Sequence, residues 1–164
     1  MTLFLVFSDT HGDLTLTGQV IARFPQANGI IHLGDVVRDA ARLAARHPDL
    51  PVYAVAGNCD FGADPQLYPA ELELPVEGKR LLLTHGHRFG VKDGYRRIAA
   101  RCNAGRYDCV LFGHTHIAAD VVVDGAHLLN PGSLSRPKGV EGPSYALLEI
   151  GHGMLETRLM ESQD

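Results

Sequence analysis

The sequence predicts an α/β fold of four layers, an α/β/β/α sandwich in which two mixed β-sheets pack face to face and are flanked by helices. Five apolar runs stop abruptly at Gly or at short polar clusters, which is typical of buried parallel strands that end at a loop. Helical stripes alternate with such runs in the first part of the chain, and hairpin signals follow. The length of 164 residues suits one domain, which we assign to residues 1–164.

The first part of the chain has the pattern of a βαβαβ unit. Its predicted strands are residues 2–8, 29–34 and 52–56. The helices between them are indicated by the stripe Leu16, Val20, Ile21 and Phe24 and by the Ala- and Arg-rich residues 37–47. Pro25 and Pro48 mark the ends of these helices, because proline cannot continue a helix. Right-handed crossovers would make the three strands parallel.

The remainder of the chain mixes hairpins with one further helix. Residues 70–76 and 79–84 flank Glu77-Gly78, a two-residue hairpin signal. A helical stripe follows at Tyr95, Ile98, Ala99 and Cys102. The later predicted strands are residues 108–112, 119–123, 127–129, 145–150 and 154–160. The last two are expected to pair as a terminal hairpin.

Composition excludes several classes of protein. A net charge of −4 carries no electrostatic footprint for long nucleic acids. The three cysteines form no CxxC pair, so we predict neither a disulfide framework nor a thiolate zinc site, and free thiols fit a reducing cytoplasm. The sequence shows no basic leader and no apolar stretch of about 20 residues. We therefore expect a cytoplasmic protein without a membrane segment.

Side chains that can bind metals cluster where the predicted strands end. The five strand ends are followed by Asp9-Thr10-His11, Asp35, Asn58, His85-Gly86-His87 and His114-Thr115-His116. In open α/β sheets, ligands bind beyond the carboxyl ends of the strands, so these groups should share one rim. Two Asp, one Asn and four or five His are too many ligands for a single ion. Mixed oxygen and imidazole ligands fit Mn, Fe, Ni or Zn better than Ca or Mg.

Strand geometry gives a reason for these side chains to converge. Residues two apart in an extended segment point the same way, which predicts that Asp9 converges with His11 and His114 with His116. Asp35 follows a middle strand and is the natural candidate to bridge two ions. Metals about 3.5–4 Å apart can activate a water and clamp an in-line displacement at phosphorus.

The motifs occur in the order seen in the calcineurin-like metallophosphoesterases. The matching segments are Ser8-Asp9-Thr10-His11-Gly12, Gly34-Asp35, Gly57-Asn58-Cys59-Asp60, Thr84-His85-Gly86-His87 and Gly113-His114-Thr115-His116. More narrowly, the chain resembles the small single-domain bacterial and archaeal phosphodiesterases of that superfamily, up to about residue 150. The segment Asn130-Pro131-Gly132-Ser133 also resembles a turn of the family.

The resemblance implies a dinuclear enzyme that hydrolyses small phosphodiesters by attack of a metal-bridging hydroxide on phosphorus. It places two divalent transition metal ions in the site, with Mn as the expected metal and Fe, Zn or Ni as alternatives. One ion would be held by Asp9, His11, Asp35 and His116. The other would be held by Asp35, Asn58, His85 and His114. The residues expected to be catalytic are Asp35, Asn58 and His85, and those expected to bind substrate are Asn58, Cys59, His87 and Arg136.

Cys59 departs from the usual family pattern. In much of the superfamily this position is a His that can protonate the leaving oxygen, and a thiol is a poor match for that role at neutral pH. The smaller members that this chain resembles can also carry Cys there. We therefore hypothesise that esters with acidic leaving groups, such as aryl phosphates, react much faster than alkyl esters.

Simpler roles stay open for individual residues. Asp9 and Asp35 could be helix N-caps, and Asn58 could be a turn residue that tolerates positive φ. His87 could be an extra ligand, a supporting group or a hydrogen-bonded turn residue. Arg136 lies in a basic loop that either holds a phosphate or is simply solvated.

The main alternative function is a weakly active or inactive protein-binding scaffold, as in a eukaryotic endosomal-coat subunit of the same fold. Such a scaffold should have lost ligand residues, whereas this chain has every one of them. A nuclease that acts on long chains is disfavoured by the acidic net charge. We expect a small phosphorylated substrate and no membrane partner, and a homo-oligomer stays possible.

Overall fold

The computed structural model describes residues 1–162, and within this range the chain forms ten β-strands, three α-helices and one short 3₁₀ turn. The strands are β1 Thr2–Phe7, β2 Gly29–His32, β3 Val52–Ala54, β4 Glu71–Val76, β5 Lys79–Thr84, β6 Cys109–Leu111, β7 Ala118–Val123, β8 Ala126–Pro131, β9 Ser144–Gly151 and β10 Met154–Glu161. The helices are α1 Thr15–Arg23, α2 Val37–Arg46 and α3 Arg96–Gly105, and the 3₁₀ turn is His87–Phe89. The predicted domain ends at residue 164, and residues 163 and 164 lie outside the described residues.

The strands form two mixed five-stranded sheets, as predicted. The first sheet has the order β10-β9-β1-β2-β3, with β1, β2 and β3 parallel and the terminal hairpin antiparallel to them. The second has the order β4-β5-β6-β8-β7, with β5, β6 and β8 parallel and the two edge strands antiparallel. The two-residue hairpin signal at Glu77-Gly78 correctly predicted the β4–β5 pair.

Alternation along the strands produces the four layers. Phe4 and Val6 of β1 pack against Leu81 and Leu83 of β5 in the core between the sheets. The opposite face of the first sheet packs on α1 and α2, and Leu82 faces α3 on the other side of the second sheet. Successive side chains of a strand point to opposite faces, so each central strand contributes to two cores. The predicted α/β/β/α order is confirmed.

The packing of the sheets brings the ends of their parallel strands to one rim. The imidazole Nδ1 of His85, after β5, lies 2.7 Å from the carbonyl oxygen of Leu33, after β2. His114 follows β6, and its backbone N–H donates at 3.0 Å to Oδ2 of Asp9, which follows β1. These bonds join loops of different sheets, and they position the candidate site at the seam.

The described part of the chain contains no helix with both the length and the apolar character needed to cross a bilayer. All three cysteines are free thiols; Cys102 and Cys109 are buried, and Cys59 is exposed at the rim.

Candidate metal centre

The predicted ligands converge, but the backbone that carries them is not extended. Positive φ angles occur at Asp9 (56°), His11 (47°), Asp35 (57°), His114 (70°) and His116 (61°). Residues other than Gly adopt this left-handed region rarely, at a cost of about 1–2 kcal/mol each. The strand-alternation argument for Asp9 with His11 and for His114 with His116 was therefore wrong. Sharp turns, rather than a period of two, aim these side chains at one point.

The first group of predicted ligands forms a compact cluster. Asp9, His11, Asp35 and His116 each offer one ligand atom, and these atoms lie within 4.8 Å of one another. His116 Nε2 is 3.2 Å from Asp9 Oδ1, and His11 Nε2 is 3.7 Å from Asp35 Oδ2. One ion could contact all four groups.

The second group shares Asp35 with the first. His85 Nε2 lies 3.1 Å from Asn58 Oδ1 and 3.4 Å from Asp35 Oδ1. The rings of His85 and His114 have centroids 5.1 Å apart. The two carboxylate oxygens of Asp35 thus face different histidines, Oδ2 towards His11 and Oδ1 towards His85.

Backbone carbonyls fix the tautomers of two of these histidines. Nδ1 of His85 lies 2.7 Å from the Leu33 carbonyl, and Nδ1 of His116 lies 2.7 Å from the Arg136 carbonyl. A carbonyl can only accept, so each Nδ1 carries the proton and donates it. In the neutral rings each Nε2 then presents a lone pair to the oxygens of Asp9 or Asp35. Two acceptors facing each other need a cation between them or a proton.

Unpartnered buried atoms test whether a metal fits. Among residues 1–162, Asp9 Oδ1 and His11 Nε2 are buried side-chain atoms without a hydrogen-bond partner. The other oxygen of Asp9 accepts from Ser8 Oγ at 2.6 Å and from the His114 N–H at 3.0 Å. Buried polar atoms are rarely left unpaired, and a cation would satisfy both of these atoms. The donor set of carboxylates and imidazoles therefore fits divalent transition metals.

Electrostatics keep the two carboxylates ionised. Burial favours the neutral form of Asp9, but His116 and His85 in their protonated forms, together with the hydrogen bond from Ser8, outweigh burial and lower its pKa. Burial likewise opposes ionisation of Asp35, yet His85 in its protonated form and the N–H of Cys59 hold the Asp35 pKa well below the ordinary range. Both side chains are thus anionic at neutral pH, as metal binding requires.

Two histidines are held neutral. Burial, followed by the charge on Arg136, lowers the pKa of His11. Burial, followed by the charges on His85 and Lys92, lowers the pKa of His114 to about 4. A neutral imidazole keeps a lone pair for a metal, so both rings are in the form that binds.

A family model for the calcineurin-like phosphoesterase superfamily domain matches residues 1–153. The chain belongs to this superfamily. YsnB of Bacillus subtilis, named a probable metallophosphoesterase, is 36% identical over 160 residues, which cover 96% of this chain and 89% of YsnB. YfcE of Escherichia coli K12, named a phosphodiesterase, is 32% identical over 169 residues, which cover 91% of this chain and 88% of YfcE. The predicted family is confirmed.

Solved structures confirm the fold. A conserved protein of Streptococcus pneumoniae TIGR4, described as a predicted phosphoesterase, matches with a TM-score of 0.79 and 27% identity, covering 98% of this chain and 89% of that one. Vps29 of Entamoeba histolytica, solved in complex with Zn²⁺, matches with a TM-score of 0.75 and 20% identity, covering 98% of this chain and 99% of that one. At that identity, the likeness to Vps29 shows the fold alone.

Asp60 is a structural residue of this superfamily member whose role the sequence did not reveal. Its two oxygens accept four backbone N–H groups, those of Asp35 (3.0 Å), Val36 (2.9 Å), Val37 (2.8 Å) and Gly57 (2.8 Å). A carboxylate 23 residues away therefore caps α2. The alternative that Asp35 caps this helix is wrong, because Val36 holds the N-cap position and makes no side-chain cap bond in the described structure. Likewise, α1 has Leu14 at its N-cap, so Asp9 is not its cap.

A buried network supports the loop that carries Asp9 and His11. The N–H of Gly34 donates to His32 Nδ1 at 3.3 Å, so the ring proton sits on Nε2 and is donated to Thr10 Oγ1 at 2.9 Å. The Thr10 hydroxyl donates onward to Asp39 Oδ2 at 2.7 Å, which also accepts the N–H of Gly12. His32 is therefore a support for the loop that carries Asp9 and His11.

The turn after β8 ties the ligand loops together. The hydroxyl of Ser133 donates to the Asp9 carbonyl at 2.9 Å, and that of Ser135 donates to the Thr10 carbonyl at 2.8 Å. Asn130 Nδ2 donates to the Gly113 carbonyl at 3.0 Å. The segment that resembled a family turn thus holds loops from both sheets.

Three of the four residues predicted to bind substrate line a pocket of about 260 Å³ at the metal centre. Asn58, Cys59 and Arg136 line it, together with Lys92 and Lys138. Lys92 was missed, because it lies in an irregular segment that carries no motif. Burial, followed by the hydrogen bond to Asp35, raises the pKa of the Cys59 thiol.

His87 is placed behind the ligand rings rather than in the lining of this pocket. Its ring centroid is 5.4 Å from that of His85 and 6.0 Å from that of His114. Its Nδ1 is buried, with no hydrogen-bond partner in the described residues. A role in substrate binding stays a prediction for this residue.

Gly57 lies where the Asp35 and Asn58 loops pack together, and we predict that Gly57→Ala weakens metal binding. A Cβ at this position would collide with the carboxylate of Asp35. We expect metal affinity, measured by titration calorimetry, to fall about 10- to 100-fold, as for loss of a group that orients a ligand. Gly18→Ala in α1 is the control, since its Cβ meets nothing within 4 Å in the described chain. Equal metal affinity of the two variants would contradict this packing.

Asp60→Ala should destabilise the protein by about 1–3 kcal/mol, because four N–H donors lose their acceptor. Denaturant unfolding measures the change. Asp49→Ala serves as the control, because Asp49 is exposed and makes no side-chain hydrogen bond within residues 1–162. If the two variants unfold at the same denaturant concentration, Asp60 does not stabilise the loop.

Proposed function

We propose that this protein is a dinuclear metal-dependent phosphodiesterase that hydrolyses small phosphodiesters. The observation that carries the proposal is the position of Asp35, whose two oxygens face two separate sets of ligands. Membership of the superfamily and the name of the relative YfcE support hydrolysis of a phosphoester. Two close sites that share one carboxylate are the arrangement that in-line displacement at phosphorus uses.

The proposal assigns each predicted ligand to a site. One ion is held by Asp9, His11, Asp35 and His116. The second is held by Asp35, Asn58, His85 and His114. The charge balance favours an anionic substrate, because two carboxylates cancel only half of the four positive charges on two divalent ions. Mn is the metal that we expect, with Fe, Zn or Ni as alternatives.

The bound ions would activate a water and stabilise charge at phosphorus. The protein itself supplies orientation and further positive charge. Arg136 and Lys92 line the metal pocket together with His11 and His114, and their charges lower the pKa values of these two rings. Neither has an ion-pair partner within the described chain, so both are available to non-bridging phosphate oxygens.

Asn58 and Cys59 are the residues that we place near the leaving group. Asn58 and Cys59 are exposed at the edge of the pocket. The Asn58 amide oxygen is directed to His85, and its nitrogen lies 3.5 Å from the Cys59 sulfur. The protonated thiol of Cys59 is a weak acid, so the leaving group must depart with little help from a proton donor.

The scaffold alternative has one finding in its favour, the shared fold with Vps29. A common fold does not carry a common function, which depends on the site. Here the seven predicted ligands lie together at one rim, and two of their buried atoms are unpartnered within residues 1–162. The exposed large apolar residues are dispersed over the N-terminus, the 61–67 loop, the 117–122 and 140 regions and β10, rather than concentrated on one element. We therefore prefer the enzyme.

Removal of the shared carboxylate tests the mechanism. Asp35→Asn should bind fewer divalent ions than the wild type, which should bind two per chain, as counted by elemental analysis. Hydrolysis of bis(4-nitrophenyl) phosphate should fall by more than the roughly 10–100-fold that loss of an outer-shell partner costs. Asp124→Asn, at a turn between β7 and β8, is the matched control. A wild type that binds no divalent ion, or an Asp35 variant that keeps its rate, would refute the proposal.

Leaving-group acidity should control the rate. We predict that aryl phosphodiesters react much faster than alkyl phosphodiesters, because no imidazole follows Asn58. Cys59→His should raise the rate for the alkyl ester by about 100-fold, the lower end of the range for general-acid catalysis, and raise the aryl rate far less. Steady-state kinetics with both esters measures this. Comparable rates for the two leaving groups in the wild type would count against the hypothesis.

A further inference from the structure

A cleft of about 620 Å³ lies next to the metal pocket, between the first turns of α2 and the loop of residues 59–63. Cys59 lines both the cleft and the metal pocket, so the two spaces adjoin. The metal pocket measures only about 260 Å³, which suits a phosphoryl group rather than a whole organic substrate. The cleft has the size typical of a small-molecule site and offers space for a group attached to the reacting phosphorus.

The walls of the cleft are largely apolar and include an exposed aromatic ring. Phe61 lines it with 93% of its surface exposed, which is unusual for a phenyl ring beside a candidate active site. Val37, Ala41 and Ala63 add apolar surface, and Tyr68 adds a second aromatic ring. Such a surface favours a flat, apolar-faced group.

The carboxylates that line the cleft already accept hydrogen bonds from other groups of the protein. Asp60 accepts four backbone N–H groups. Asp39 accepts from Thr10, from the N–H of Gly12 and from Arg42. Arg38, in contrast, is exposed and makes no ion pair with any residue that the structure describes. Stacking on Phe61 is therefore an interaction that the cleft offers to any aromatic ring, and Arg38 adds a positive charge that can lie against the face of that ring.

We propose that this cleft binds the nucleoside portion of the substrate, with its base stacked on Phe61. This inference rests on the proposed function, and it names nucleoside phosphodiesters as the substrate class. A single phenyl group would leave most of the cleft empty, whereas a sugar and base together suit its volume. Because stacking on an aromatic ring tolerates any base, we expect the cleft to accept both purines and pyrimidines.

Fluorescence provides a test that does not depend on catalysis. The chain contains no Trp, so Phe61→Trp introduces a single reporter into the cleft. In Mn²⁺-containing buffer, AMP should quench the initial fluorescence at concentrations about 5-fold or more below those of ribose 5-phosphate, given the energy of base stacking on an aromatic ring. Val122→Trp, on the exposed face of β7, is the control and should respond equally weakly to both.

Inhibition kinetics provides a second test. AMP should inhibit hydrolysis of bis(4-nitrophenyl) phosphate at a concentration about 5-fold or more lower than ribose 5-phosphate does. Phe61→Ala should reduce that ratio to near one, and Val122→Ala should preserve it. Phenyl phosphate should inhibit more weakly than AMP.

The outcomes separate this inference from the proposed function. Quenching by AMP in a protein without hydrolytic activity would leave the cleft assignment intact and refute only the phosphodiesterase. Equal effects of AMP and ribose 5-phosphate in an active enzyme would overturn the cleft assignment alone. Phenyl phosphate that inhibits as tightly as AMP would overturn the nucleoside class.

Discussion

The structure depends on one electrostatic arrangement, in which the buried carboxylates of Asp9 and Asp35 lie among imidazole rings, two of which are oriented by backbone carbonyls. Nδ1 of His85 and of His116 donates to a backbone carbonyl, so in the neutral rings it is the Nε2 lone pair that faces Asp9 or Asp35. Five of the ligand residues also hold left-handed backbone angles, each at a cost of about 1–2 kcal/mol. No hydrogen bond inside the described site offsets the unpartnered oxygen of Asp9. Bound cations would offset these costs, so metal binding and stability of the rim are linked.

Support for this arrangement comes from outside the ligand loops. Asp60 gathers the N–H groups around Asp35, and Ser133 holds the backbone of Asp9 from the opposite sheet. Asp60 caps α2, which packs on the first sheet, whereas Ser133 follows β8 of the second sheet. The relative position of the ligands is therefore set by the packing of one sheet on the other. Outer groups that orient ligands can change metal affinity about 10- to 100-fold, so much of the site's function lies in residues that never touch a metal.

The parts of the fold that could be predicted are those encoded locally. Apolar runs, prolines that end helices and the Glu77-Gly78 turn predict the strands and helices, and the predicted bounds agree with the structure to within a few residues. The same strand ends also indicated the side chains that the structure brings together at the rim. Left-handed φ at Asp9 or His116 could not be predicted, because short-range preferences of Asp and His do not specify it. The roles of Asp60 and Lys92 depend on partners far away in sequence, and no spacing along the chain encodes such contacts. The period-two argument failed because the strands end before their polar clusters begin.

The proposals assign substrate selectivity to two neighbouring spaces, the metal pocket and the cleft. The metal pocket would affect the chemical step, and the cleft would affect substrate binding. In the proposed function, the metal pocket would hold the phosphoryl group, and Cys59, a weak proton donor, would make the rate sensitive to the leaving group. The cleft would hold a ring at a distance from phosphorus, so stacking on Phe61 would stabilise the ground state and the transition state alike. Uniform binding of this kind lowers KM without raising kcat. Changes at Cys59 should therefore appear in kcat for poor leaving groups, and changes at Phe61 should appear in KM for nucleoside substrates. Cys59 lines both spaces, whereas Phe61 lines only the cleft. Substitutions at these two residues can therefore separate the effect on kcat from the effect on KM.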